Sequence, residues 1–245
     1  MLIGTSWKMN HTRASAKAYV DRLAALCRDD PPNCTLFLCP PFTAIETVRT
    51  ALDAHGLDIL LGAQNCHAAS EGAFTGEVSA AMVKEAGCTL VELGHSERRR
   101  DFCETDGVIA AKVKAVAAEG LRPLLCVGED RSDRTAGAAI ETVLRQAKRA
   151  LHGLEGPALN GAIIAYEPVW AIGVDGTAAT PNDIGGVVAA LKAAFPLPVL
   201  YGGSVDDTNA AAFITDGGVD GLFVGRAALT ADGLMGVARN ALAAR

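Results

Sequence analysis

Pro198-Val199-Leu200-Tyr201-Gly202-Gly203-Ser204 starts as a short apolar run and ends in two glycines and a hydroxyl. Gly221-Leu222-Phe223-Val224-Gly225-Arg226 follows the same plan, and the alanine-rich stretch Asp207–Ile214 between them has a helical pattern. Short, continuous apolar runs suit parallel strands covered on both faces. A strand, a helix and a second strand in that order form a βαβ unit, whose crossover is right-handed.

The same unit recurs outward along the chain. Further strands are expected at Leu2–Ser6, Thr35–Cys39, Asp58–Gly62, Thr89–Leu93, Pro123–Val127 and Ala162–Tyr166. Helical patterns lie at Arg13–Cys27, Ala44–Ala54, Ser79–Glu85, Asp106–Ala118, Ala136–His152, Pro181–Ala194 and Asp232–Ala243. Eight βα units in 245 residues predict an α/β chain closed into a (β/α)8 barrel, for which ~250 residues is typical. An open doubly wound sheet is the runner-up, but the Gly-x-Gly-x-x-Gly fingerprint does not follow the first strand. With no linker, low-complexity tract or charge block, residues 1–245 are expected to form a single domain.

Half of the residues are hydrophobic and 20% are charged, which suits a buried core and argues against disorder. A net charge of −6 gives no electrostatic footprint for nucleic acid or an anionic membrane. The start, Met1-Leu2-Ile3-Gly4-Thr5-Ser6-Trp7-Lys8, does not resemble a signal peptide, and no apolar run reaches the ~18 residues of a membrane helix. The seven cysteines form an odd set without a C-x-x-C pair, against a disulfide framework or a zinc site. A cytoplasmic protein with reduced thiols, without metal or cofactor, is expected.

Chemistry in such a barrel gathers at the C-terminal ends of the strands. Those ends read Ser6-Trp7-Lys8-Met9-Asn10, Gly94-His95-Ser96-Glu97-Arg98-Arg99, Glu167-Pro168-Val169-Trp170, Gly202-Gly203-Ser204 and Gly225-Arg226. His11, His55, His67 and His152 read as structural, whereas His95 is set among polar residues at a strand end. Glu167 is either a helix-capping acid or a base, and Pro168 argues against a plain helix start. Lys8 is either a surface lysine or a directed positive charge. Ser204 suits the N-cap of the following helix, a phosphate donor, or both. The glycines after strands seven and eight match the place where barrels bind phosphate through backbone N–H groups. Together these residues suit proton transfer next to a carbonyl, with Glu167 as base and His95 and Lys8 steadying an enediolate.

The ordered motifs Trp7-Lys8-Met9-Asn10, Gly62-Ala63-Gln64-Asn65, Gly72-Ala73-Phe74-Thr75-Gly76-Glu77, Gly94–Arg99, Cys126-Val127-Gly128-Glu129, Ala165–Gly173 and Tyr201–Val205 resemble the triosephosphate isomerase family along nearly the whole chain. The resemblance implies Glu167 as base, His95 as neutral electrophile, Lys8 as charge stabiliser and Glu97 as support. It implies phosphate contacts from Gly173, Ser204 and Gly225, and a closing lid over Pro168–Ala178 with Pro168-Val169-Trp170 as a hinge. It also implies a homodimer through the Thr75 loop, and a small phosphorylated sugar as substrate.

Three positions depart from the family. Ser6 replaces an asparagine that contacts substrate oxygens, the lid reads Gly173-Val174-Asp175-Gly176-Thr177-Ala178 and is one residue longer, and Arg226 replaces a glycine. A left-handed backbone at Arg226 would cost ~1–2 kcal/mol; otherwise the arginine adds a phosphate contact or reaches a neighbouring subunit. Interconversion of dihydroxyacetone phosphate and D-glyceraldehyde 3-phosphate is the first expectation. The alternative is the related L-erythrulose-1-phosphate isomerase family, which Gly4–Asn10 resembles and which forms D-erythrulose 4-phosphate. A non-catalytic phosphate-binding barrel, and an aldolase using Lys8 as a Schiff base, are the readings from other classes.

Overall fold

The computed structural model describes residues 1–173 and 176–243. Eight parallel strands close into one barrel in sequence order: β1 (Leu2–Ser6), β2 (Thr35–Cys39), β3 (Leu60–Ala63), β4 (Leu90–Leu93), β5 (Arg122–Val127), β6 (Ile163–Tyr166), β7 (Val199–Tyr201) and β8 (Gly221–Val224). The closure lies between β8 and β1, where Leu2 pairs with Gly221 and Thr5 with Val224. The third strand begins at Leu60 rather than Asp58 and ends at Ala63. The polar Asp58 lies in the loop before the barrel wall.

The expected helices form the outer layer: α1 (Arg13–Asp29), α2 (Ile45–His55), α3 (Ala80–Glu85), α5 (Asp106–Ala118), α7 (Ala139–Leu151), α9 (Pro181–Ala194), α10 (Ala210–Thr215) and α11 (Ala231–Ala243). Three short helices were not expected: α4 (Ser96–Asp101), α6 (Arg131–Thr135) and α8 (Gly156–Asn160). Their brevity leaves no hydrophobic period to detect. The α10 helix starts three residues later than Asp207, because the Asp206 carboxylate accepts hydrogen bonds from the Thr208 and Asn209 N–H groups and holds a turn there.

Strand parity divides the core. Ile3, Leu36, Val91, Leu125 and Ile164 face the helices, while Phe37, Leu90, Leu124, Ile163 and Phe223 pack inside the barrel. Successive side chains on a strand alternate sides. The same parity therefore turns Ser6 inward with Gly4, Glu92 with Leu90, and Glu167 with Ala165. Gly4 is required, since a Cβ there would strike the Phe37 ring. The upper end of the barrel interior is thus where an otherwise apolar core meets polar side chains.

Candidate active site

Lys8 leaves β1 in a left-handed conformation, φ 53°, uncommon for a residue with a side chain. Strain of this kind, worth about 1–3 kcal/mol, persists only where surrounding bonds fix it. Gln64 Nε2 donates to the Lys8 carbonyl at 3.0 Å and to the Cys39 carbonyl at 2.9 Å, and Asn10 Nδ2 donates to the Trp7 carbonyl at 2.7 Å. So held, Lys8 Nζ meets Glu97 Oε1 at 2.7 Å.

His95 precedes α4 as its N-cap. Its Nδ1 accepts the Glu97 backbone N–H at 3.1 Å. An Nδ1 that accepts cannot carry the proton of a neutral imidazole, so the proton is on Nε2. That Nε2 lies 3.4 Å from Glu167 Oε2. Burial, followed by the Lys8 charge, lowers the His95 pKa to about 4. His95 is therefore a neutral hydrogen-bond donor at neutral pH. Burial alone would raise the Glu97 carboxyl, but the Lys8 hydrogen bond and neighbouring positive charge outweigh it and keep its pKa below the usual range.

Glu167 follows β6, and its backbone N–H donates to the Val127 carbonyl at 2.7 Å. Its side chain is buried, and Oε2 has no hydrogen-bond partner. Burial first, and the Glu92 charge second, push its pKa well above the ordinary carboxylate value. A buried, poorly satisfied carboxylate beside a neutral donor is a strong proton acceptor when ionised. Gly202 gives it room, because a Cβ there would lie 2.7 Å from Oε1 and 2.8 Å from Cγ.

A cavity of about 440 Å³ opens beside these groups, lined among others by Ser6, Lys8, Gly173, Ser204, Gly225 and Arg226. It adjoins a smaller chamber of about 40 Å³ whose walls include Ser6, Lys8, His95 and Glu167. Ser6, Lys8, His95, Glu97, Glu167, Gly173, Ser204, Gly225 and Arg226 thus line these two adjoining spaces, whereas Met9 faces away from them and is exposed. Ser204 is not a helix cap, because α10 begins at Ala210; its hydroxyl donates to the Ala171 carbonyl at 3.2 Å. Arg226 does not have a left-handed backbone, so it carries no strain of that kind. It opens a short 3-10 turn, and its Nη2 approaches the Gly173 carbonyl at 3.4 Å.

In the segment the resemblance marks as a hinge, Pro168-Val169-Trp170, a 3-10 turn runs over Val169–Ala171. Trp170 Nε1 donates to Glu129 Oε1 at 2.6 Å, and the Arg134 guanidinium covers the indole at 3.8 Å. Val174 and Asp175, at the centre of the expected lid, lie outside the described residues.

Gln64 and Glu129 stood in the quoted motifs without a role. Glu92 was not singled out at all. It is 2% exposed, its Oε2 accepts the Ser6 hydroxyl at 2.7 Å, and burial pushes its pKa up to about 7. Its signal was a lone acid inside the apolar run Thr89–Leu93.

The triosephosphate isomerase family model matches residues 1–241. A protein from Mesorhizobium japonicum named L-erythrulose-1-phosphate isomerase is 44% identical over 250 residues, spanning 99% of this chain and 97% of that one. A protein of the same name from Mycolicibacterium smegmatis is 44% identical over 230 residues, spanning 92% and 87%. The crystal structure of triosephosphate isomerase from Bartonella henselae matches with a TM-score of 0.84 at 34% identity, covering 98% of each chain.

Proposed function

Because the chain belongs to the triosephosphate isomerase family, we propose that this isomerase converts L-erythrulose 1-phosphate to D-erythrulose 4-phosphate. The observation that carries the choice of substrate is the 44% identity, along almost the whole chain, to a protein bearing that activity in its name. The three-carbon exchange put first on sequence grounds has the weaker support, the 34% identity to a triosephosphate isomerase.

Glu167 removes the proton from C3 of the tetrulose phosphate, leaving an enediolate across C2 and C3. The Nε2–H of His95 and the Lys8 ammonium face the two oxygens and stabilise the developing charge. The O3 hydroxyl proton passes to O2 by way of the His95 Nε2, Glu167 returns the carbon proton to C2, and the carbonyl is then at C3. Renumbered from the other end, the product is the 4-phosphate. Gly173, Ser204 and Gly225 hold the phosphate through backbone N–H groups, with Arg226 supplying a positive charge at the same end. The hinge closes the lid over the enediolate and excludes water. Lys8 is engaged by Glu97 rather than presented as a free amine, which weighs against the Schiff-base aldolase. The Thr75 loop joins two subunits.

The test is kcat/KM on L-erythrulose 1-phosphate and on dihydroxyacetone phosphate. Preference for the tetrulose is expected, with a fall of about 10²- to 10⁴-fold in Glu167→Gln. Preference for the triose returns the enzyme to the three-carbon exchange. Activity on neither above the Glu167→Gln level leaves a phosphate-binding barrel.

A further inference from the structure

Resting on the four-carbon reading above, we propose that Ser6 and Glu92 form a subsite that accepts the terminal hydroxyl of the substrate. Ser6 touches that hydroxyl, and Glu92 is the positioning residue behind it.

Glu92 is out of place as a structural residue. It points into the barrel from the middle of β4, with Leu90 below it and the apolar Cys39, Cys126 and Ala165 facing inward from β2, β5 and β6. A carboxylate in such surroundings is costly to desolvate unless something answers it. Among the described residues it forms no salt bridge, and its one side-chain hydrogen bond is from Ser6, at 2.7 Å. The fold gains little from a buried acid whose single partner lines the active-site chamber.

That bond fixes what Ser6 offers to the chamber. A serine hydroxyl has one proton to donate and two lone pairs. While Glu92 is ionised, as its pKa of about 7 allows above neutral pH, it takes the serine proton and Ser6 presents only lone pairs, so it is an acceptor for a hydroxyl. It is unsuited to a carbonyl or enediolate oxygen, and those are met by the donors of His95 and Lys8. The chemistry of the two candidate substrates differs at the corresponding place. The tetrulose phosphate bears a hydroxymethyl group on the carbon that loses its proton, where the triose bears hydrogen. That carbon must lie against Glu167, and Ser6 and Glu167 wall the same small chamber. Gly173, Ser204 and Arg226 line the larger cavity and Ser6 lines both spaces, so a substrate whose phosphate occupies the larger one can turn its terminal hydroxyl to Ser6.

A site built to bond a hydroxyl rejects the analogue that lacks it. We therefore compare L-erythrulose 1-phosphate with its 4-deoxy analogue, in which a methyl group ends the chain, using wild type, Ser6→Ala and Glu92→Leu, with Tm as the check on folding. Wild type is expected to favour the hydroxyl-bearing substrate in kcat/KM by roughly 10- to 100-fold. In either variant the ratio falls to within about threefold of one, chiefly through KM for the hydroxylated substrate, because uniform binding is what is lost. The double variant is expected to have the same ratio as the single ones. Ser6→Ala removes one oxygen and decides the matter even where Glu92→Leu yields no folded protein. A wild-type ratio near one, or variants that slow both substrates equally, overturns the subsite and leaves the isomerase reading standing. No turnover of the tetrulose phosphate overturns the four-carbon reading and the subsite with it.

Discussion

Two buried titratable side chains face each other across 3.4 Å, His95 and Glu167, and they respond to pH in different ranges. His95 is held at about 4 by burial and by Lys8, so it stays neutral through the working range. Glu167 is pushed upward, so as the proposed base it is the group whose protonation is expected to remove activity as pH falls. His95→Gln is expected to lower kcat by about 100-fold and to leave the acidic limb of the kcat/KM profile in place. Disappearance of that limb in the variant would assign it to His95 instead. Glu92 makes a separate prediction about stability. Its folded-state pKa of about 7 lies above the ordinary value of 4.5. A raised acid contributes its stability fully below the unfolded pKa and loses it as pH rises through the folded one. Glu92→Gln resembles the protonated acid at every pH. Its unfolding free energy relative to wild type is therefore expected to grow between pH 5 and pH 8, by up to about 3 kcal/mol. Urea titrations at both pH values measure it, and a constant difference would mean that Glu92 ionises normally.

At the scale of strands and their loops, the site depends on close approach. The turn after β7 passes so near Glu167 that a methyl group on Gly202 would lie 2.7 Å from its carboxylate Oε1. Displacing a catalytic group by about 1 Å costs on the order of 100-fold. Gly202→Ala is expected to lower kcat by about 10- to 100-fold while circular dichroism retains the native spectrum; unchanged turnover would show that Glu167 has slack. The barrel and the strand-end residues were legible because apolar runs mark the strands and parallel βα units bring all their C-terminal ends to one face. Less legible was whatever depended on side-chain direction. Glu92 stands inside a run read only for its hydrophobicity, although its parity with Leu90 was available. The left-handed Lys8 and the clamp by Gln64 depend on a loop conformation that no periodicity encodes. Ser204 looked like a helix cap because the turn made by Asp206 was not visible in the pattern.

The whole molecule leaves apolar groups at its surface that a lone barrel does not use. The Phe74 ring packs tilted against His67 with centroids 4.0 Å apart, yet remains 46% exposed at the base of the Thr75 loop. Met82, 56% exposed, lines a cleft with both rings. Gly72 and Gly76 have positive φ at the two ends of the loop, which gives the loop a sharply turned backbone. Met9, directly after the strained Lys8, is 97% exposed. Aromatic and methionine side chains presented in this way are the usual material of subunit interfaces. If the loop docks into a second copy, assembly supports the segment that carries Lys8, and activity depends on it. Wild type is then expected to sediment at twice the chain mass of 25.3 kDa at micromolar concentration. Thr75→Arg brings a charge into the docked loop and is expected to shift the sedimentation toward the single-chain mass, with kcat at least tenfold lower. A wild-type monomer would overturn the dimer. A monomeric Thr75→Arg with full activity would instead mean that each barrel holds Lys8 in its strained conformation unaided, through Gln64 and Asn10.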